Sequence, residues 1–239
     1  IGGADSQLVY RGNADSVAYW KTDATTGAVT VVSKADVDAG ASWNVKLTYV
    51  GDVVTMTLKD AKIGNYDADT DTYSLENDAI RVHEEGVLNS AGIGGTKINL
   101  DIILEGTNYI SSVNHALQAS HMVGDCTIKG TEGASLNIYN KGSEFYVSGI
   151  EKNLIFDNAK VVFDSGFVGY ARARMNVSNC IIKNNSDITV DTIRYSFGEG
   201  GFNLSGDMVV DNSKLTVNAT TCRAINAEGS VTFKNNADV

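Results

Sequence analysis

Apolar and polar residues alternate in short runs through most of this chain, and glycine, asparagine or aspartate punctuates them. Leu136-Asn137-Ile138, Val161-Val162-Phe163, Ile188-Thr189-Val190 and Leu215-Thr216-Val217 show the pattern. A period of two predicts half-buried β-strands. Ahead of these runs a second motif recurs: a large apolar residue, a charged residue, then Gly, Asn or Asp. It reads Leu58-Lys59-Asp60, Leu104-Glu105-Gly106, Ile128-Lys129-Gly130, Phe156-Asp157-Asn158, Ile182-Lys183-Asn184, Val210-Asp211-Asn212 and Phe233-Lys234-Asn235. Successive copies lie 46, 24, 28, 26, 28 and 23 residues apart. Such a repeat predicts a solenoid, with a degenerate unit or an insertion in the double-length first gap.

Each column of the motif has a physical role. The apolar column predicts one inward-facing stack. The third column holds residue types that tolerate positive φ, so a tight bend is expected in every unit. The charged column runs Lys, Glu, Lys, Asp, Lys, Asp, Lys. Parallel rungs lie about 4.8 Å apart, so opposite charges would face each other up the outside. Asn158, Asn184, Asn212 and Asn235 are expected to form a side-chain ladder at the bends. A looser third strand is expected at His115-Ala116-Leu117, Phe145-Tyr146-Val147, Tyr170-Ala171-Arg172, Ile193-Arg194-Tyr195 and Cys222-Arg223-Ala224. Three short strands per unit make one coil of a single-stranded parallel β-helix, with coils of about 23–28 residues.

Residues 1–50 lack the motif and hold both tryptophans, Trp20 and Trp43. They are expected to form a β-rich N-terminal cap, because a solenoid end exposes an unpaired edge. Residues 51–239 are then the β-helix, expected to be open at its C-terminal end. The absence of proline agrees, since proline removes a ladder N–H from a central strand. Cys126 and Cys180 fall in one column two coils apart, roughly 10 Å. That exceeds disulfide reach, so the two are not expected to pair. The cysteines and His83, His115 and His121 form no metal-binding spacing.

Charge and hydropathy exclude some classes. Lys+Arg total 19 against Asp+Glu 29, a formal net charge of -10. So acidic a chain lacks the field that holds phosphate backbones, and nucleic acid is not an expected partner. No apolar run is long enough to insert in a membrane.

The run Tyr19-Trp20-Lys21-Thr22-Asp23, with Trp43-Asn44-Val45-Lys46 and Val54–Ile63, resembles the start of a group of bacterial secreted proteins. Ile98–Ile110 and Cys126-Thr127-Ile128-Lys129-Gly130 resemble their middle coils. These are right-handed parallel β-helix proteins, pectate-lyase-like in topology and often described as carbohydrate-binding-domain-containing. The resemblance implies a secreted or cell-surface location and no agreed catalytic motif. With the general crossover preference, it also supplies the right-handed expectation.

Two groups of residues are candidates for ligand chemistry. The segment from Asp67 to Asp78 places Asp67, Asp69, Asp71 and Asp78 at spacings that partly match a calcium loop, so Ca²⁺ is the possible cofactor. Thr72 replaces the turn glycine of such a loop, and Asp78 its bidentate glutamate. The alternative is a solvated insertion between coils. Arg172, Arg174, Arg194 and Arg223 fall at or beside the expected third strand, with His115, Tyr146, Tyr170 and Tyr195 near them. Guanidinium forks bind carboxylates and aromatic faces stack on sugar rings, so this strip suits a polysaccharide or host-surface glycan.

The leading expectation is a non-catalytic extracellular β-helix module, glycan-binding or adhesin-like. A structural protein self-associating through its C-terminal coil is the alternative. A polysaccharide lyase or glycoside hydrolase is the second. For a lyase, Arg172, Arg194 or Lys183 would serve as base; a hydrolase needs clustered carboxylates, and the one pair at equivalent positions, Asp164 and Asp191, is of a residue type common at solenoid bends for turn reasons.

Overall fold

The computed structural model describes residues 6–10, 16–67, 69–70, 72–74, 78–82, 99–118, 124–140, 145–147, 153–164, 175–192, 201–219 and 223–239. The chain is all-β and winds as a parallel β-solenoid with three walls. The first wall stacks Val53–Lys59, Asn99–Glu105, Cys126–Gly130, Asn153–Asp157, Asn179–Lys183, Met208–Asp211 and Val231–Lys234. The second stacks Lys62–Ile63, Thr107–Ser112, Ser135–Asn140, Lys160–Asp164, Asp187–Thr192 and Lys214–Ala219. The third stacks Asp78–Val82, Leu117–Gln118, Phe145–Val147, Met175–Val177, Phe202–Leu204 and Ile225–Ala227. Among the described residues no helix is long and apolar enough to cross a membrane.

Strand alternation sends one residue in two into the core. On the first wall Met56, Ile102, Ile128, Phe156, Ile182 and Val210 form one register column, each at most 2% exposed. On the second wall Leu136, Val161, Ile188 and Leu215 stack likewise. Phe156 and Phe163 meet edge to face across the two walls, with ring centroids 6.5 Å apart.

The bends carry the expected chemistry. Asp60, Gly106, Asn158, Asn184, Asn212 and Asn235 all have positive φ. Gly130 does not. It lies within a strand opposite Leu104, and the bend comes later, at Gly133 with φ 73°. Aligning Gly130 with Gly106 therefore misplaces that coil by two residues. Ile128 stacks on Ile102, and the true spacing is 26. Gly130 serves close approach instead: a Cβ there would lie 2.4 Å from the Asn158 carbonyl oxygen. The long first gap holds an insertion and no missing rung, because Val53–Lys59 pairs directly with Asn99–Glu105.

The shift redirects the charged column. Lys183 pairs with Asp157 at 3.4 Å and Lys234 with Asp211 at 3.2 Å, as the alternation predicts. Lys129 instead pairs with Asp101 at 2.8 Å, not with Glu105. Each such half-exposed pair contributes about 0.2–1 kcal/mol, so the column selects register more than it stabilises.

Asparagine ladders are present, with members beyond those at the bends. The Asn212 amide donates to Asn185 Oδ1 at 3.0 Å, whereas the Asn184 and Asn235 amides donate to Asp157 and Asp211. The longest ladder runs along the entrance to the first wall. Asp125 N donates to Asn99 Oδ1 at 3.0 Å and Asn153 Nδ2 to Asp125 Oδ1 at 2.8 Å. Asn179 Nδ2 donates to Asn153 Oδ1 at 3.1 Å, Asp207 N to Asn179 Oδ1 at 2.8 Å, and Ser230 N to Asp207 Oδ1 at 2.7 Å.

The third wall departs from expectation. Met175, Phe202 and Ile225 stack in register beyond Leu117 and Phe145, and Met175 and Phe202 are fully buried. The strands of the last three coils are therefore Met175-Asn176-Val177, Phe202-Asn203-Leu204 and Ile225-Asn226-Ala227. The expected strands Tyr170-Ala171-Arg172 and Ile193-Arg194-Tyr195, with Cys222, lie outside the described residues, and Arg223-Ala224 directly precedes Ile225-Asn226-Ala227. Apolar residues flank an asparagine in each of these strands, and Met175, Val177, Phe202 and Leu204 are buried.

The N-terminal segment closes one end. Val45–Val50, Ser16–Thr22 and Val29–Val32 extend the first wall beyond Val53–Lys59, each antiparallel to the strand before it in that order. Ser6–Tyr10 adds a parallel strand to the third wall. Over the second wall, Lys62 N donates to Thr22 Oγ1 at 3.0 Å and Gly64 N to the Gly27 carbonyl at 2.9 Å. Gly27 has φ 69°, and a Cβ on it would strike the Gly64 backbone.

Two outcomes follow. Phe156→Ala should cost about 3–5 kcal/mol in urea unfolding; a loss under about 1 kcal/mol would contradict its place in the stack. The second concerns the last rung. The Ser230 backbone N–H and hydroxyl hold the Asp207 carboxyl below its ordinary 3.8. Asn235 and then Lys234 do the same for Asp211. Both groups titrate lower folded than unfolded, so their contribution is complete above the ordinary value and fades as pH falls through the lower folded values. The urea midpoint should fall as pH drops below about 4. That slope should flatten when Asp207 and Asp211 are both changed to Asn; an unchanged slope would place the acid sensitivity elsewhere.

Candidate functional site

Of the expected arginine strip, Arg172, Arg174, Arg194, Tyr170 and Tyr195 lie outside the described residues. Tyr146 sits in the third-wall strand Phe145–Val147, with its side chain outside them. His115 and Arg223 each precede a third-wall strand by two residues, so they share a column. Four rungs separate them, about 19 Å at strand spacing, and they do not form one contact site. Arg223 is exposed and its Nη1 donates to Asn226 Oδ1 at 3.0 Å. The Asn226 amide donates in turn to Asn203 Oδ1 at 2.8 Å. His115 is half-buried, and its carbonyl accepts from Ala79 N and from Ser112 Oγ.

The acidic segment folds partly as a hairpin, with Tyr66–Asp67 antiparallel to Thr72–Tyr73. Asp67 turns its carboxylate back on that hairpin's own turn, accepting Asp69 N at 2.9 Å. Hydrogen bonds from the Thr70 side chain and then the Asp69 amide hold its pKa below the usual range. Asp69 is exposed. Asp71, and the side chain of Asp78 on the third wall, lie outside the described residues. Among the described residues no three His, Cys, Asp or Glu side chains gather closely enough to hold a metal ion.

The second wall brings together residues that the sequence scatters. Its outward face carries Tyr109, and Tyr139 one rung further on. The hairpin places Tyr66 against Tyr139, the rings stacked with centroids 4.1 Å apart and planes 24° from parallel. Lys62 Nζ lies 5.8 Å from the centre of the Tyr109 ring and donates to the Thr25 carbonyl at 2.7 Å. Burial raises the Tyr109 phenol above its ordinary pKa, so it stays protonated and able to donate. Beyond Tyr139 in the same column come Asp164, Asp191 and Asn218. The Asn218 amide donates to Asp191 Oδ1 at 2.5 Å.

This face joins aromatic rings, one ammonium and two carboxylates on adjacent strands. Rings of this kind stack on the apolar faces of sugars, and the flanking groups suit hydroxyls. Sequence reasoning missed the three tyrosines because they come from three coils. The one available signal was the outward parity of Tyr109 and Tyr139 within alternating runs.

Two of the three cysteines are described and interior, and Cys222 lies outside the described residues. Cys126 and Cys180 are thiols, both buried, with Leu154 between them in the register column. Burial pushes the Cys180 thiol far above its ordinary pKa. Neither should react with an aromatic disulfide reagent in the native state, and modification should track urea unfolding. Fast modification of either in the folded chain would contradict that burial. No family model matches this chain, and neither does any curated protein or solved structure.

Proposed function

We propose that this chain is a non-catalytic extracellular module that binds a glycan along a rigid β-solenoid, with the second wall as the binding face. The observation that carries this is the grouping of Tyr66, Tyr109 and Tyr139 with Lys62, Asp164 and Asp191 on one outward surface. Support for rigidity comes from the ladders, which tie each rung to the next on the core's outside as well as within it. The secreted or cell-surface location rests on the sequence resemblance to bacterial right-handed β-helix proteins. Ca²⁺ at Asp67, Asp69, Asp71 and Asp78 is a further part of this proposal, and a role for Arg172, Arg174, Arg194 and Arg223 is the competing third-wall site that the same experiment tests.

A second reading, glycoside hydrolysis, draws on one specific observation. Asp164 and Asp191 are register partners on adjacent strands, so their backbones lie about 5 Å apart. Retaining glycosidases hold their two carboxyl groups about 5–5.5 Å apart. The Asn218 amide donates to Asp191 Oδ1 and fixes the orientation of that carboxylate.

One experiment separates these. Glycan-array binding is measured with Ca²⁺ and with chelator, for the natural chain, Tyr109→Ala and Arg223→Ala. Loss of one stacking contact should weaken binding about 3- to 10-fold in Tyr109→Ala, with Arg223→Ala unaffected. Binding to no glycan would overturn the proposal, and loss in Arg223→Ala alone would move the site to the third wall. Chain scission of the bound polymer, abolished by Asp164→Asn, would establish the hydrolase instead.

A further inference from the structure

Ser111 breaks the rule that outward residues of the second wall meet solvent. It follows Tyr109 by two residues on the strand Thr107–Ser112, so both point outward, and Tyr139 is its register partner. Tyr109 and Tyr139 are half-buried, but Ser111 is wholly buried and its Oγ makes no hydrogen bond. Buried polar groups are nearly always paired, so an orphan hydroxyl on a binding face points to a missing partner. Tyr66 lies over this part of the wall. Its ring stacks on Tyr139, and it stands close enough to the Tyr109 phenol to act on it, as do Ser111 and Asp164. The Tyr109 phenol therefore faces Ser111, Tyr66 and Asp164. The hairpin that carries Tyr66 is a two-stranded sheet of its own. It closes on itself where Asn65 N donates to Ser74 Oγ and Ser74 N to the Asn65 carbonyl, each at 2.8 Å. Among the described residues no backbone hydrogen bond joins it to the second wall. Two paired strands are marginally stable by themselves, so side-chain contacts such as the Tyr66–Tyr139 stack hold the hairpin down.

We propose that Tyr66 holds the place of a sugar ring: an uncharged hexose unit of the glycan displaces it from Tyr139, and the Ser111 hydroxyl then pairs with a hydroxyl of that unit. This rests on the second wall being the glycan face. A pyranose ring brings an apolar face to Tyr139 and hydroxyls to Ser111 and Tyr109. Displacement loses one ring-on-ring contact and satisfies a buried hydroxyl that the closed arrangement leaves unpaired. Charge selects the class of sugar. Asp164 and Asp191 follow Tyr139 in its column, and Lys62 Nζ is held by the Thr25 carbonyl. A uronate carboxylate would meet two like charges against one cation, whereas sugar hydroxyls donate to those carboxylates. Ser111 is thus a specificity-determining residue, and Tyr66 an internal competitor for the site.

The test is calorimetric binding of neutral hexasaccharides of glucose, mannose and galactose, and of hexagalacturonate. The full 239-residue chain is compared with Ser111→Ala, Tyr66→Ala and Tyr109→Ala, and the urea midpoint of each is measured without sugar. At least one neutral hexasaccharide should bind, and hexagalacturonate should bind more weakly. Ser111→Ala should weaken that binding about 2- to 12-fold without lowering the urea midpoint, because it deletes an unpaired group. A merely structural serine would show the reverse. Tyr66→Ala should strengthen binding about 2- to 12-fold by freeing Tyr139. Weaker binding in Tyr66→Ala, unchanged binding in Ser111→Ala, or preference for hexagalacturonate would overturn the proposal. If Tyr109→Ala still weakens binding in those cases, the second wall remains the glycan face. No binding of any sugar by either the natural chain or Tyr66→Ala would overturn both readings.

Discussion

Parallel, in-register stacking is the constraint on which everything else in this protein depends. Each strand takes its hydrogen-bond partners from the coils before and after it, so a residue's vertical neighbours are set by register. Every column must then tolerate its own repetition. Apolar columns do so by packing, as Met56, Ile102, Ile128, Phe156, Ile182 and Val210 show. Charged columns do so only by alternating sign, and polar columns by pairing donor with acceptor. The Asn99–Asp125–Asn153–Asn179–Asp207–Ser230 ladder is the polar solution. A polar column without such pairing would leave amides competing with the strand backbone beside them.

The same constraint explains why the bends are chemically uniform and the loops are not. A bend must reverse direction in one or two residues without disturbing the strands on either side. Positive φ achieves this, which is why Asn158, Asn184, Asn212 and Asn235 recur. Length can still vary at the bend. Residues Thr131–Ala134 lengthen one turn, and the paired positive-φ residues Asn184 and Asn185 lengthen another. Register survives because it is read by the strands and not by the turns. An added residue is therefore absorbed locally, as the Ile102–Ile128 and Leu136–Val161 pairings show.

The repeat, the inward columns and the bend residues were legible in the sequence because each depends on one residue type at one position. The two-residue error at Gly130 arose because glycine has two uses. At Gly106 it supplies positive φ, and at Gly130 it admits the Asn158 carbonyl. Sequence shows the glycine and not which use applies. The third wall was less legible for a different reason. Its strands are only two to five residues long, so alternation has too few positions to declare itself. The arginine strip was built on that uncertain column. By contrast Asp164 and Asp191 were visible as equivalents, since each follows the last inward residue of a second-wall run with strong alternation.

The candidate site was the least legible feature, and the reason is geometric. Tyr66, Tyr109 and Tyr139 are separated in sequence by an insertion and by a coil whose length is altered at Gly133. Their proximity depends on the rung-to-rung register and on a hairpin that folds back over the second wall. A solenoid separates these two kinds of information. Inward residues are constrained by the stack, so they repeat and can be recognised. Outward residues need only avoid unfavourable vertical neighbours, which leaves them available for binding but removes the periodic signal that would reveal them. The tyrosines break the threonine, valine and asparagine pattern of their wall without disturbing the core behind it. In such a fold, departures from the outward repeat are where specific recognition can be built, because they are the positions the stack does not dictate.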